Sequence, residues 1–182
     1  MLKTKLLIVL LALIGLAPWH AAPAETLVEV VLADQLDDSR GFCIDIVGYK
    51  QRAKPQRGLQ AHSCYSYQGE IGVDQGFDAA LIPRGKFRMT GFDLCMTAPE
   101  ERPGSQLSLK ACDHGIGQTF QLTAQGTIVP KDTATLCVTV ADGDSTPGGG
   151  GQPVHLKRHL TLERCADGRA RYQTWRVRQQ AD

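Results

Sequence analysis

The residues best equipped for chemistry in this 182-residue chain are six cysteines, five histidines and a scatter of carboxylates. No two cysteines stand as C-x-x-C, and their spacing fits no zinc-ligand pattern, which argues against redox or metal chemistry. His155 and His159 are four apart, a spacing that would pair them on a helix. The run around them is strand-like, so both are expected to face solvent. Asp142 and Asp144 hint at calcium, yet no further ligands follow at regular spacing. Gly-x-Ser-x-Gly, H-E-x-x-H and a Gly-rich phosphate loop are all absent. No catalytic centre, cofactor or metal is expected.

The cysteines gain meaning as parts of a repeat. Three times a cysteine in a strand-like run is followed 17 to 28 residues later by a second, then by Gln-x-aromatic. The copies are Cys43…Cys64…Gln75-Gly-Phe77, Cys95…Cys112…Gln118-Thr-Phe120 and Cys137…Cys165…Gln173-Thr-Trp175. Units of roughly 40 to 55 residues bury too little apolar surface alone, so the three must share one core. Of the many pairings six cysteines allow, the repeat selects Cys43–Cys64, Cys95–Cys112 and Cys137–Cys165, one inside each unit. Each bridge closes a loop of about 20 to 30 residues and contributes on the order of 3 kcal/mol in the chain-entropy model.

The elements that must position these residues are short strands. Almost nothing reads as helix, and apolar runs alternate with Gly, Pro and Asp turns. The runs are 27–32, 42–47, 59–62 and 75–77 in the first unit and 86–90, 94–97, 107–110 and 118–122 in the second. In the third they are 127–129, 136–140, 154–162 and 174–178. Four strands in each of three units make twelve, enough for a six-stranded barrel closed by three hairpins, which leaves no exposed sheet edge. The glycine-rich stretch 142–151 lengthens the third unit between its cysteines. It fits a mobile lip beside a site or, more simply, an insertion tolerated at a surface turn.

Residues 1–24 read as a secretory signal: Lys3 and Lys5, an unbroken apolar run over 6–17, then Ala22-Pro23-Ala24. The run is too short to span a hydrocarbon core of roughly 30 Å. Cleavage after Ala24 leaves residues 25–182 as one domain without a membrane span, secreted or periplasmic, where disulfides form. Taking the signal's two lysines from 20 basic residues leaves 18 against 19 acidic ones. That balance argues against a nucleic-acid partner or a membrane surface.

Cysteine-hydrophobic-Asp-hydrophobic, a strand ending in a second cysteine, and Gln-x-Trp/Phe, repeated over residues 27–178, resembles the ricin-type β-trefoil (Q-x-W) lectin family. The resemblance implies an all-β chain, a β-trefoil of three repeats at about 27–82, 83–125 and 126–178, with one disulfide per repeat. Phe77, Phe120 and Trp175 should then face the three-fold axis, and Gln75, Gln118 and Gln173 should satisfy backbone groups at the adjoining turns. It also implies a carbohydrate site. In this family an Asp after the first cysteine accepts from sugar hydroxyls and an aromatic two residues before the second cysteine serves as platform, helped by an Asn or Asp beside the motif Gln.

The first repeat matches best, with Asp45, Gln60, His62 at the platform position, and Asp74-Gln75. Tyr65 and Tyr67 stand close by as alternative rings. The second repeat has Thr97, Lys110 and Gly117 at these positions and the third Thr139, Glu163 and Tyr172, so neither assembles such a pocket. The implied function is an exported carbohydrate-binding module that recognises glycans or glycoconjugates mainly through its first repeat. The alternative is a protein-binding trefoil, a secreted inhibitor or a toxin or adhesion subunit, whose partner is another secreted protein. Asp45 and Asp74 as a glycosidase pair are disfavoured on a closed trefoil, and the chain is expected not to be an enzyme.

Overall fold

The computed structural model describes residues 26–49, 52–113, 115 and 117–179; the expected export signal at residues 1–24 lies outside them. The first unit supplies β1 (Leu27–Leu32), β2 (Phe42–Ile46), β3 (Leu59–Ser63) and β4 (Phe77–Asp78). The second supplies β5 (Arg88–Met89), β6 (Leu94–Thr97), β7 (Ser108–Ala111) and β8 (Phe120–Leu122). The third supplies β9 (Ile128–Pro130), β10 (Leu136–Val140), β11 (Thr146–Pro147), β12 (Leu156–Arg164) and β13 (Trp175–Arg178). Each of the twelve expected runs thus holds a strand. The thirteenth, β11, is built by the glycine-rich insertion and pairs with β12.

The first and last strands of the units form the barrel. Antiparallel ladders join β1 to β4, β4 to β5, β8 to β9 and β13 to β1. The Phe120 amide donates to the Gly85 carbonyl (2.9 Å), and Thr127 bridges Thr174, which completes the ring. The middle strands form the three hairpins β2–β3, β6–β7 and β10–β12. This is a β-trefoil. Phe77, Phe120 and Trp175 all lie in the shared core. Phe87 sits edge-on to Phe77 at 6.2 Å and to Phe120 at 6.1 Å, and the Trp175 indole N–H donates to the Val138 carbonyl at 2.9 Å.

The disulfides are those expected: Cys43–Cys64, Cys95–Cys112 and Cys137–Cys165. Beside each, the motif glutamine plays one structural part. Its side-chain amide donates to the carbonyl of the residue before the second cysteine, and its oxygen accepts from the N–H of the residue after it. Gln75 spans Ser63 and Tyr65 (3.0 and 2.9 Å), Gln118 spans Ala111 and Asp113 (2.9 and 3.0 Å), and Gln173 spans Arg164 and Ala166 (3.0 and 3.1 Å). All three are buried. Peptide groups that leave a strand inside the protein need partners, and this amide supplies two at once.

Candidate functional site

The hairpins place corresponding residues opposite one another in identical register. Two positions after each first cysteine, Asp45 faces Gln60, Thr97 faces Ser108 and Thr139 faces Thr161. Opposite the first cysteine itself stand His62, Lys110 and Glu163. In the second and third repeats the threonine hydroxyl donates to the carbonyl of the cysteine two back, Thr97 to Cys95 at 3.0 Å and Thr139 to Cys137 at 2.8 Å. The first repeat has a carboxylate there instead.

Asp45 is completely buried, and both of its oxygens accept hydrogen bonds: Oδ1 from Gln60 (2.8 Å) and Oδ2 from Gln75 (2.9 Å). Burial drives its pKa well above the ordinary carboxylate range; the bonds from Gln60 and Gln75 oppose the rise and the nearby Asp74 adds to it. Gln75 is locked by its backbone partners, whereas Gln60 is half-buried and reaches the surface. With one N–H held by Asp45, Gln60 keeps its carbonyl oxygen and second N–H for a ligand.

The surface it reaches is a cleft of about 540 Å³ lined by Tyr49, Gln60, His62, Tyr65, Gln68, the four glycines at 148–151 and His155, with Arg52, Lys54 and Lys157 also in its wall. Of the five residues expected to bind sugar, Gln60 and His62 line this cleft. Asp45, Asp74 and Gln75 are buried and stand outside its lining. A cluster of rings forms the floor. His62 lies 5.3 Å from Tyr65 and 5.4 Å from His155, Tyr65 lies 5.1 Å from His155, and Tyr49 meets Tyr65 edge-on at 6.1 Å. The Tyr67 hydroxyl sits 2.9 Å from His155 Nε2.

His155 therefore corrects the expectation that it faces solvent: it is only 5% exposed. The reason is the insertion. β12 pairs with β3 across the repeat boundary, placing Lys157 opposite His62 and His159 opposite Gln60. The chain before β12 is then gripped by the β1–β2 loop of the first repeat. Arg40, paired with Asp38 at 2.8 Å, donates to the carbonyls of Pro153 (2.8 Å) and Val154 (2.9 Å). At the other end the Ser145 amide donates to Asp37 (3.1 Å), which also accepts from Arg158 (2.7 Å). Burial works against the Asp37 charge, but these bonds outweigh it and hold its pKa down to about 2. The insertion thus forms a strap anchored at both ends, with its glycines against the histidines.

Close approach explains the glycines. A Cβ on Gly148 would stand 2.7 Å from His62 Nε2, and one on Gly151, whose φ is +77°, 2.6 Å from the His155 ring. Burial pushes the His62 pKa down to about 4, with the Ser63 carbonyl opposing and His155 reinforcing; His155 is lowered by burial and by Arg40. Both rings are neutral near pH 7, apolar in face and fixed in place. Desolvation raises the Tyr65 hydroxyl, aided by Asp45 and Asp74. The sequence offers the glycine-rich stretch as a lip beside a site but favours a plain surface insertion; it misses the anchoring of this strap and the burial of His155.

The third repeat has a cleft of another kind. It measures about 280 Å³ and is lined by Thr139, Asp142, His159, Thr161, Glu163, Arg169 and Tyr172, among others.

A family model of the ricin-type β-trefoil lectin domain matches residues 35–154 and 83–182. A search of curated proteins finds no match. Among solved structures, the β-trefoil lectin of Vibrio vulnificus hemolysin/cytolysin, with N-acetyl-D-lactosamine bound, aligns at TM-score 0.54 and 14% identity over 87% of this chain and 98% of that one. The agglutinin of Abrus precatorius aligns at 0.58 and 18%, over 88% of this chain and 51% of its own. The C-half of the earthworm R-type lectin, in complex with GalNAc, aligns at 0.54 and 16%, over 86% and 99%. At these identities the structures speak for the fold. The two matched ranges together span most of the described chain, and the chain belongs to the ricin-type β-trefoil lectin domain family.

Proposed function

We propose that residues 25–182, exported after removal of segment 1–24, act as a carbohydrate-binding module without catalytic activity, with the glycan held in the first-repeat cleft. Gln60 supplies hydrogen bonds to sugar hydroxyls, and the His62, Tyr65 and Tyr49 rings cover the apolar face of the pyranose. Asp45, Asp74 and Gln75 act from behind, with Asp45 fixing which way the Gln60 amide points. Family membership and the sugar-bound Vibrio and earthworm lectins support this reading.

The observation that carries it is Asp45. A carboxylate with no exposure to water is costly, and the other two repeats fold the same hairpin with threonine in its place. Its distinct product is an oriented Gln60 at the wall of a ring-floored cleft. The test is a glycan array of the oxidised protein beside Gln60→Ala and Asp45→Asn. In the Asn variant, Gln75 keeps the side-chain oxygen, and the new amide N–H turns Gln60 around. Binding that disappears in both variants is the expected result. Silence across the array with the parent protein overturns the reading and leaves a protein-binding trefoil.

A further inference from the structure

The cations of the first-repeat cleft point one step on, to the class of glycan, and this step rests on the cleft being the sugar site. Arg52, Lys54 and Lys157 all contribute to its wall, and no carboxylate does. Arg52 and Lys54 are exposed and Lys157 half-exposed. None of the three forms an ion pair among the described residues, whereas the nearby Arg40 and Arg158 are tied to Asp38 and Asp37. Asp45 and Asp74 are buried outside the lining, and Asp142 and Asp144 line an adjoining groove that shares Val47, Gln60 and Lys157 with the cleft.

Three cations around one cleft are not a consequence of bulk charge, because the whole chain carries a formal net charge of only +1. Nor are they a general property of the trefoil's clefts, since the third-repeat cleft places Asp142 and Glu163 beside Arg169. The cations come from two separate parts of the chain: Arg52 and Lys54 from the β2–β3 connection, and Lys157 from β12. They meet at one cleft because β12 pairs with β3. An arginine fork matches a carboxylate or sulfate with two parallel N–H bonds, and a lysine adds a compact point charge.

We propose that the first-repeat cleft selects glycans bearing an anionic group, a carboxylate or a sulfate ester, adjacent to the sugar that Gln60 and His62 hold. The ring floor and Gln60 recognise the pyranose, and Arg52, Lys54 and Lys157 recognise the charge. Because the cations are solvent-exposed, salt weakens their contribution: the Debye length falls from about 10 Å at 0.1 M to about 3 Å at 1 M.

The experiment titrates the oxidised protein with matched ligands: N-acetyllactosamine, its sialylated form and its sulfated form, each at low and at high salt. The same set is repeated with Lys54→Gln/Lys157→Gln, whose two positions lie outside the core, and with Arg52→Gln. Circular dichroism confirms that each variant is folded. A preference for charged over neutral ligand of roughly tenfold at about 0.05 M salt, shrinking toward parity at about 1 M and in the variants, is the expected outcome. Preference for the sialylated form alone assigns a carboxylate, and for the sulfated form alone a sulfate. Equal binding of neutral and charged ligands overturns the inference and leaves the lectin reading standing. A preference that survives in the variants overturns its assignment to these cations. Binding of none of the ligands overturns the inference, and the glycan array then decides whether the lectin reading stands.

Discussion

The first and third repeats share a skeleton and differ in what they do with one position. Both bridge the second cysteine with a buried glutamine, Gln75 in one and Gln173 in the other. Both direct the second hydrogen bond of that amide to the residue two after the first cysteine: Gln75 to Asp45 and Gln173 to Thr139, each at 2.9 Å. There they part. The Thr139 hydroxyl donates to the Cys137 carbonyl and accepts from Gln173, so both of its bonds go to local structure. Asp45 has a second oxygen, and that oxygen holds Gln60 at the cleft. The difference separates what the first and third repeats share at this position, one acceptor for the motif glutamine, from what is added in the first repeat alone.

The shared skeleton can be broken in either repeat. Gln75→Ala strands a buried N–H, a carbonyl and a side-chain acceptor, and Gln173→Ala strands a part-buried N–H and carbonyl with a buried side-chain acceptor, at roughly 1–3 kcal/mol per group. Urea denaturation should show each variant destabilised by about 3 kcal/mol or more. A much milder effect in one of them would show that its glutamine is not the structural bridge described.

Acid tests the ring floor of the first-repeat cleft. His62 has an ordinary value of 6.5 and a folded pKa of about 4. Between those values the unfolded chain binds a proton that the folded chain refuses, so stability falls as pH drops from about 6.5 to 4. The depressed His155 acts in the same direction. Asp45, with its raised folded pKa, acts the opposite way: its contribution is present at low pH and is lost as pH rises through the folded value. The His62 contribution is on the order of 3 kcal/mol. His62→Gln should flatten the decline in urea midpoint over that window, and a decline of unchanged slope would assign it elsewhere.

Asp45→Thr sharpens the comparison most directly, because it writes the third repeat's solution into the first. Thermal unfolding should change by less than about 1 kcal/mol, since the introduced hydroxyl can accept from Gln75 as Thr139 does from Gln173. Glycan affinity, read by calorimetry, should fall by about tenfold as Gln60 loses its anchor, equivalent to about 1.4 kcal/mol. A stable variant that binds unchanged would remove Asp45 from the site. The smallest effect belongs to the strap. Gly148→Ala forces its Cβ against His62 and should weaken binding about threefold, with little change in melting temperature.

The fold was legible because each of its parts is written three times. Two cysteines, a glutamine and an aromatic at matching offsets locate the hairpins, the bridges and the core rings without reference to long-range contacts. The placement of Asp45, Gln60 and His62 on the middle strands of the first repeat was legible too. What was not legible depends on meetings between distant segments. The strap is placed by Arg40 holding carbonyls 113 and 114 residues away, and by Asp37 at a separation of 108. Local pattern carries no trace of such contacts. The solvent-facing expectation for His155 failed for that reason: β12 does alternate, but His155 lies just ahead of it, under the strap's control.

The borrowed wall also has a consequence for when the site comes into being. Every polar residue expected to hold sugar is translated within the first 75 residues, yet His155, Lys157 and the glycines that enclose them arrive after residue 147. A chain truncated after β10 carries all five of those residues and half a cleft. On the proposed reading, glycan binding would signal completed chain assembly, and it should emerge last in a refolding reaction, after the disulfide of the first repeat has closed.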